Sequence, residues 1–119
     1  MDGGDEQWVA QLRKGSLELC MLALLAHDER YGYQIAQRLA GAGGLAVSEG
    51  TIYPLLSRLQ REGLVASRWR ESPSGPPRKY YRLTPAGRQA LEDKALAWEE
   101  FSRAVQVILQ EERDGRSGS

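Results

Sequence analysis

The chain has 119 residues, the length of one domain, and its sixteen basic and sixteen acidic side chains cancel. A single cysteine and a single histidine exclude a disulfide framework within the chain and leave too few ligands for a tetrahedral metal site, so neither metal nor cofactor is expected. The longest uncharged apolar run, residues 19–26, is too short to span a bilayer and no basic-then-apolar leader opens the chain. These features predict a cytoplasmic protein with no membrane partner.

Zero net charge conceals an uneven distribution. Residues 1–60 carry net −2, residues 61–88 net +5 and residues 89–119 net −3. The middle segment, with Arg61, Arg68, Arg70, Arg78, Lys79, Arg82 and Arg88, is the kind of electrostatic footprint a polyanion requires.

In chain order, residues 1–6 are polar and expected to fray. From Gln7 the pattern is helical, with Val9, Leu12, Ser16, Leu19 and Leu22 recurring on one side. Gly15 is expected to interrupt it and Ser16 to cap a second helix, SLELCMLALLAHDE, apolar on most sides and therefore central. Cys20 within it reads as a small buried hydrophobe in a reducing compartment. Tyr31-Gly32-Tyr33 opens a further helix that turns Tyr33 or Ile35/Ala36, and Leu39, inward before Gly41, Gly43 and Gly44 stop it.

After a turn of roughly eight residues comes SEGTIYPLLSRLQREG, residues 48–63. Ile52, Leu55, Leu56 and Leu59 fall at i, i+3, i+4 and i+7, one apolar helical stripe. Ser48 is placed to cap the first turn through its hydroxyl, and Gly63 to end the last. Off the stripe lie Glu49, Thr51, Tyr53, Ser57, Arg58 and Arg61, side chains suited to base edges and phosphates. Pro54 removes the donor for the Gly50 carbonyl, so a kink is expected at a cost of about 3 kcal/mol if nothing compensates. Taken alone, this stretch also fits a core helix with one awkward proline. Two helices in succession, the second with a polar face, make a helix-turn-helix.

Beyond Gly63 the period changes from 3.6 to 2. LVASRWR and RKYYRL read as strands, with SPSGPP, residues 72–77, between them as turn or loop. A solvated edge ribbon protected by charge would also use basic residues, but would not need nearly all charges to have one sign. Thr84-Pro85 reads as cap and first residue of a helix running to about residue 112. Its apolar residues Leu91, Ala95, Trp98, Phe101/Ser102, Val105 and Ile108/Leu109 step by three and four. At about 28 residues and 42 Å it is too long for this domain to cover, so it predicts pairing with a second copy.

The predicted class is mainly α with a small β-hairpin (α+β). A winged helix-turn-helix domain occupies residues 1–84 with its wing at 64–83, a dimerisation helix follows at 85–113, and a disordered tail at 114–119. An enzyme is excluded: no triad can be assembled around one cysteine and one histidine, no glycine-rich loop follows a strand, and no inward carboxylate pair is suggested. A protein-interaction module stays open as the alternative. It would tolerate reversal of Arg78 and Lys79 to glutamate, whereas a DNA-binding regulator would lose its operator.

The chain resembles the PadR family of bacterial transcriptional regulators, specifically its short subfamily with a single carboxy-terminal helix. The resemblance rests on LRKGSLELCMLALLA (12–26), YGYQIAQRL (31–39), SEGTIYPLLSRLQREGLV (48–65) and RKYYRLTPAGRQAL (78–91). It implies a homodimeric repressor on an inverted-repeat operator in double-stranded DNA, relieved by a small aromatic or lipophilic effector. It also implies a recognition helix over 49–61, with Gly50, Thr51, Tyr53, Pro54, Ser57 and Arg58 facing DNA beside Glu49 and Arg61. Arg68, Arg70, Arg78 and Lys79 would follow phosphates or the minor groove. Tyr80 and Tyr81 alternate on a strand, so one packs inward, and Tyr80 is the candidate for DNA. Acidic Glu92, Asp93, Glu99 and Glu100 would hold the final helix away from the duplex. A tryptophan on that helix in some short members sandwiches flat aromatic compounds. Trp98 is similar in position, with Trp8 and Leu12 as further walls, and reads equally as a large residue of the dimer core.

Overall fold

The structure is a computed structural model that describes residues 3–118, with side chains placed for residues 5–115. In chain order it contains α1 (Gly3–Leu24), β1 (Arg30–Tyr31), α2 (Gly32–Ala40), a 3-10 turn (Gly43–Leu45), α3 (Glu49–Arg61), β2 (Val65–Ser72), β3 (Gly75–Leu83) and α4 (Pro85–Gly118). The mainly helical α+β class is as the sequence predicts, but the sheet has three antiparallel strands in the order β1-β3-β2. The two residues of β1 give too short a run to show a period of two. They pair Arg30 with Tyr81 and Tyr31 with Tyr80.

One core joins all of these elements. Leu17, Met21, Leu22 and Leu25 meet Ile35 and Leu39 of α2, Ile52, Leu56 and Leu59 of α3, and Val65, Tyr81 and Leu83 of the sheet. Helices α1, α2 and α3 contribute at i, i+3/i+4 spacing, and α4 packs against them through half-buried Ala90 and Leu91. Cys20 is half-buried rather than enclosed, and burial pushes its thiol pKa up.

Several expectations are corrected. Gly15 does not break α1: Ser16 donates its hydroxyl back to the Leu12 carbonyl (2.9 Å) in place of capping a new helix. Helix begins at Gly3, before the polar stretch expected to fray has ended, and Met1 and Asp2 lie outside the described residues. SPSGPP is not all turn, because β2 runs through Ser72 and β3 resumes at Gly75, leaving Pro73 and Ser74 at the tip. Pro76 and Pro77 sit at the start of β3 where the ladder is already irregular, a place that tolerates a missing donor. Of the two inward sets that the sequence allowed for α2, the structure takes Ile35/Ala36 with Leu39 and leaves Tyr33 exposed. Finally, α4 passes the end expected near residue 112 and continues to Gly118.

The junctions that aim α3 and α4 are well determined. Gly63 adopts φ +78°, Gly63 N–H donates to the Gln60 carbonyl and Leu64 N–H to that of Leu59, a Schellman ending that stops α3 and starts the hairpin. Thr84 caps α4 by accepting the Gly87 N–H at 3.0 Å, and its hydroxyl donates to the Gly63 carbonyl. A Cβ at Gly87 would stand 2.0 Å from the Leu64 carbonyl oxygen, so α4 approaches the root of the hairpin as closely as backbone allows. With 34 residues, α4 is about 51 Å long at about 1.5 Å per residue, in a molecule measuring 64 × 33 × 21 Å.

Candidate nucleic-acid interface

Helix α3, expected to be the recognition helix, has a buried stripe, Ile52, Leu56 and Leu59, and Leu55 is only half-buried. Ser48 is the N-cap residue, but its carbonyl takes the first helical bonds and its hydroxyl makes no cap bond, contrary to expectation. The helix is continuous through Pro54.

Its polar residues divide between two directions. Gly50, Tyr53, Pro54, Ser57 and Arg61 form an exposed stripe, with Glu49 beside it. Thr51, Leu55 and Arg58, at i, i+4 and i+7, face a cleft of about 730 Å³ shared with α1 and α4. Arg58 is engaged there by Glu18 of α1 and by Glu62 at 2.9 Å, and Lys94 of α4 reaches the same Glu18 at 3.2 Å. Burial raises the Glu18 pKa, but hydrogen bonds from Arg58 and Lys94 outweigh it and hold the carboxyl below its ordinary value. The same Glu18 hydrogen bond raises the Arg58 pKa. Glu18 thus ties three helices together, and Arg58 is the α3 side of that joint, a role that its place off the apolar stripe did not reveal.

Tyr53 is fixed from behind. Its hydroxyl donates to Glu49 at 3.2 Å, and its ring lies where a Cβ on Gly32 would come within 2.4 Å. Burial, followed by the Glu49 hydrogen bond, raises its pKa. Gly32 in Tyr-Gly-Tyr is therefore the seat of an α3 side chain, Tyr53. Only the absence of a side chain between two tyrosines hinted at this.

In the wing, pairing of Arg68 with Tyr80, Trp69 with Lys79 and Arg70 with Arg78 sorts the side chains by face. One face carries Arg68, Arg70, Arg78, Tyr80 and Arg82. Glu29, just before β1, binds Arg68 at 2.8 and 2.9 Å and approaches Arg70 at 3.5 Å. The Arg68 hydrogen bond lowers the Glu29 pKa. Arg70 lies 4.4 Å over the Tyr80 ring and Arg78 4.6 Å over that of Tyr31. The other face carries Trp69, Lys79 and buried Tyr81, with Lys79 5.8 Å from the Tyr81 ring. The four basic candidates of the wing therefore do not form one row, and Tyr80 is occupied by Tyr31 and Arg70.

On α4, Leu91 packs against the chain's own core, while Trp98, Phe101, Val105, Ile108 and Leu109 are large exposed apolar residues. Ala95 is half-buried. Trp98 and Phe101 line the cleft that holds Arg58, whereas Trp8 and Leu12, also exposed, are not among its walls. Among the described residues, no group of three or more His, Cys, Asp or Glu side chains could hold a metal, and no helix is long and apolar enough to cross a membrane.

A model of the transcriptional regulator PadR-like family matches residues 21–93. The transcriptional regulator Rv3488 of Mycobacterium tuberculosis is 39% identical over 95 residues, covering 80% of this chain and 87% of that protein. A PadR-like transcriptional regulator from Bacillus cereus is 42% identical with a TM-score of 0.77, covering 84% of this chain and 97% of its own. Bacillus subtilis PadR, solved in complex with operator DNA, is 30% identical with a TM-score of 0.60 over 66% of this chain and 46% of that one.

Proposed function

The chain belongs to the PadR-like family of transcriptional regulators, and from that premise we propose a homodimeric repressor that binds an inverted-repeat operator and is released by a small aromatic or lipophilic effector. The observation that carries the dimer is the row Trp98, Phe101, Val105, Ile108 and Leu109, left exposed along the distal half of α4. Apolar area of this extent in one line is stabilising only when covered, and a second α4 offers the matching surface.

Operator recognition is supported by the exposed stripe of α3 beside a cationic wing. Phosphate contacts from Arg78, Lys79, Arg68 and Arg70 would fix position, and Gly50, Tyr53, Pro54, Ser57 and Arg61, beside Glu49, would read base edges, while Thr51 faces the cleft instead. Arg58 would join them once released from Glu18. The cleft walled by Trp98 and Phe101 supports the effector, since its lining comes from α1, α3 and α4 together.

The test is retardation of the DNA immediately upstream of the protein's own gene, with the mass of the free protein measured in parallel. A dimer shifting a fragment that contains an imperfect inverted repeat is expected. A monomer at micromolar concentration, or no shift at low ionic strength, overturns the reading. Planar dyes should relieve the shift, and should not do so with Trp98→Ala.

A further inference from the structure

A groove of about 500 Å³ opens between the wing and the recognition helix, lined by Tyr31, Tyr53, Trp69, Pro77, Arg78, Lys79 and Tyr81. Four of its walls are aromatic and two are cationic. Tyr81 is buried and Tyr53 is seated on Gly32, so both are held by the fold. Trp69 is different: it stands mid-strand opposite Lys79, two positions beyond the Ser67–Tyr81 pair, and 67% of it is exposed. The ring contacts among the described residues involve Tyr31, Tyr33 and Tyr80, and the cations sit over Tyr31, Tyr80 and Tyr81, so no ring or cation covers Trp69. A polar residue would serve an outward strand position equally well. An indole there gains only from what arrives to cover it.

We propose that this groove receives one deoxyribose of the DNA backbone with its flanking phosphates, Trp69 packing on the sugar and Lys79 on a phosphate. The inference rests on the operator-binding reading and adds a contact to it. In a duplex the base faces are stacked against each other and their edges belong to the groove that α3 enters. The strand that passes between a recognition helix and its wing offers sugars, with apolar C–H edges, alternating with anionic oxygens. An aromatic slot with cations on its rim has the complementary alternation, and no base identity is needed to fill it.

The contact separates from ionic ones by its salt dependence. Trp69→Ala should bind the upstream duplex about tenfold more weakly, the scale of one aromatic contact, with an unchanged slope of log affinity against log salt. Lys79→Ala should lose about 0.9 from that slope. Trp69→Phe should keep most of the affinity, and an unchanged thermal midpoint in both Trp69 variants shows that the fold is intact. In fluorotryptophan-labelled protein, the resonance that disappears in Trp69→Phe should shift when duplex is added.

Full-strength retardation by Trp69→Ala, or a Trp69 resonance that stays put while the duplex is bound, overturns the proposal. A larger shift with single-stranded oligothymidylate than with duplex overturns the sugar contact in favour of base stacking. Failure of the unaltered chain to bind any upstream duplex removes the operator reading and this contact with it. Binding that survives with Trp69 silent removes this contact alone.

Discussion

Arg68 and Lys79 lie on adjacent strands of the wing and carry the same charge, yet they are not equivalent. Arg68 is held by three hydrogen bonds to the Glu29 carboxylate, on the face away from Lys79, so most of its field is neutralised at short range. Lys79→Ala should therefore flatten the salt dependence of operator binding by about one phosphate contact, and Arg68→Ala by clearly less, as read from retardation across a salt series. Equal losses would mean that Glu29 gives up Arg68 on binding. The alternation of the wing was legible in the sequence, and with it the division between Tyr80 and Tyr81. The neutralisation was not, because Glu29 is 39 residues away in the chain and only the fold brings it to the strand. Gly32 makes the same point. Its Cβ would displace the far end of the Tyr53 ring, which can swing aside, so Gly32→Ala should cost only about 1 kcal/mol of stability. Operator affinity should fall more than that, since Tyr53 loses its seat. Thermal unfolding and retardation together check the two.

Among the elements, the start of α4 was the best marked in advance: Thr84 caps, Pro85 follows, and both hold in the structure. The closeness of α4 to the hairpin root was not marked, since Gly87 looks like any glycine near a helix start. There the neighbour is the Leu64 carbonyl rather than a movable side chain, so Gly87→Ala should destabilise the chain by about 3 kcal/mol, well beyond Gly32→Ala, in denaturant unfolding. At Gly15 the sequence misled in the opposite sense. An exposed glycine inside a helix costs only about 1 kcal/mol relative to alanine, and packing by Leu17, Met21 and Leu22 just beyond it outweighs that. The joint of α1, α3 and α4 at Glu18 gives a pH dependence. Its carboxyl pKa is lowered in the folded chain, so its stabilisation is complete above the ordinary value of 4.5 and is lost as pH falls through the folded value. Glu18→Gln should unfold at a lower temperature than the unaltered chain near neutrality. That gap should narrow as pH falls through the lowered folded value of Glu18, because both chains then present an uncharged group to Arg58 and Lys94.

Across the whole molecule, charge and apolar surface are partitioned: cations gather in the wing, and the acidic α4 carries the uncovered apolar row. That partition was readable from the sequence, because like charges and a three-four step are both local patterns. The partner that covers the row is a second molecule in the proposed assembly, and this gives the most decisive substitution. Ile108 is 65% exposed and far along α4 from the core, so Ile108→Glu should leave the monomer folded, with unchanged helical circular dichroism. In the proposed dimer it would bury a carboxylate in an apolar seam, and the assembly should dissociate in analytical ultracentrifugation. A monomer grips one half-site without the effective concentration that a linked second half supplies, so operator affinity should fall by about a hundredfold or more. It also touches half the phosphates, so the salt slope should drop to about half. Both changes together follow only if two wings act on one duplex. A fall in affinity with the full slope retained would place the damage in the protein's grip rather than in its pairing.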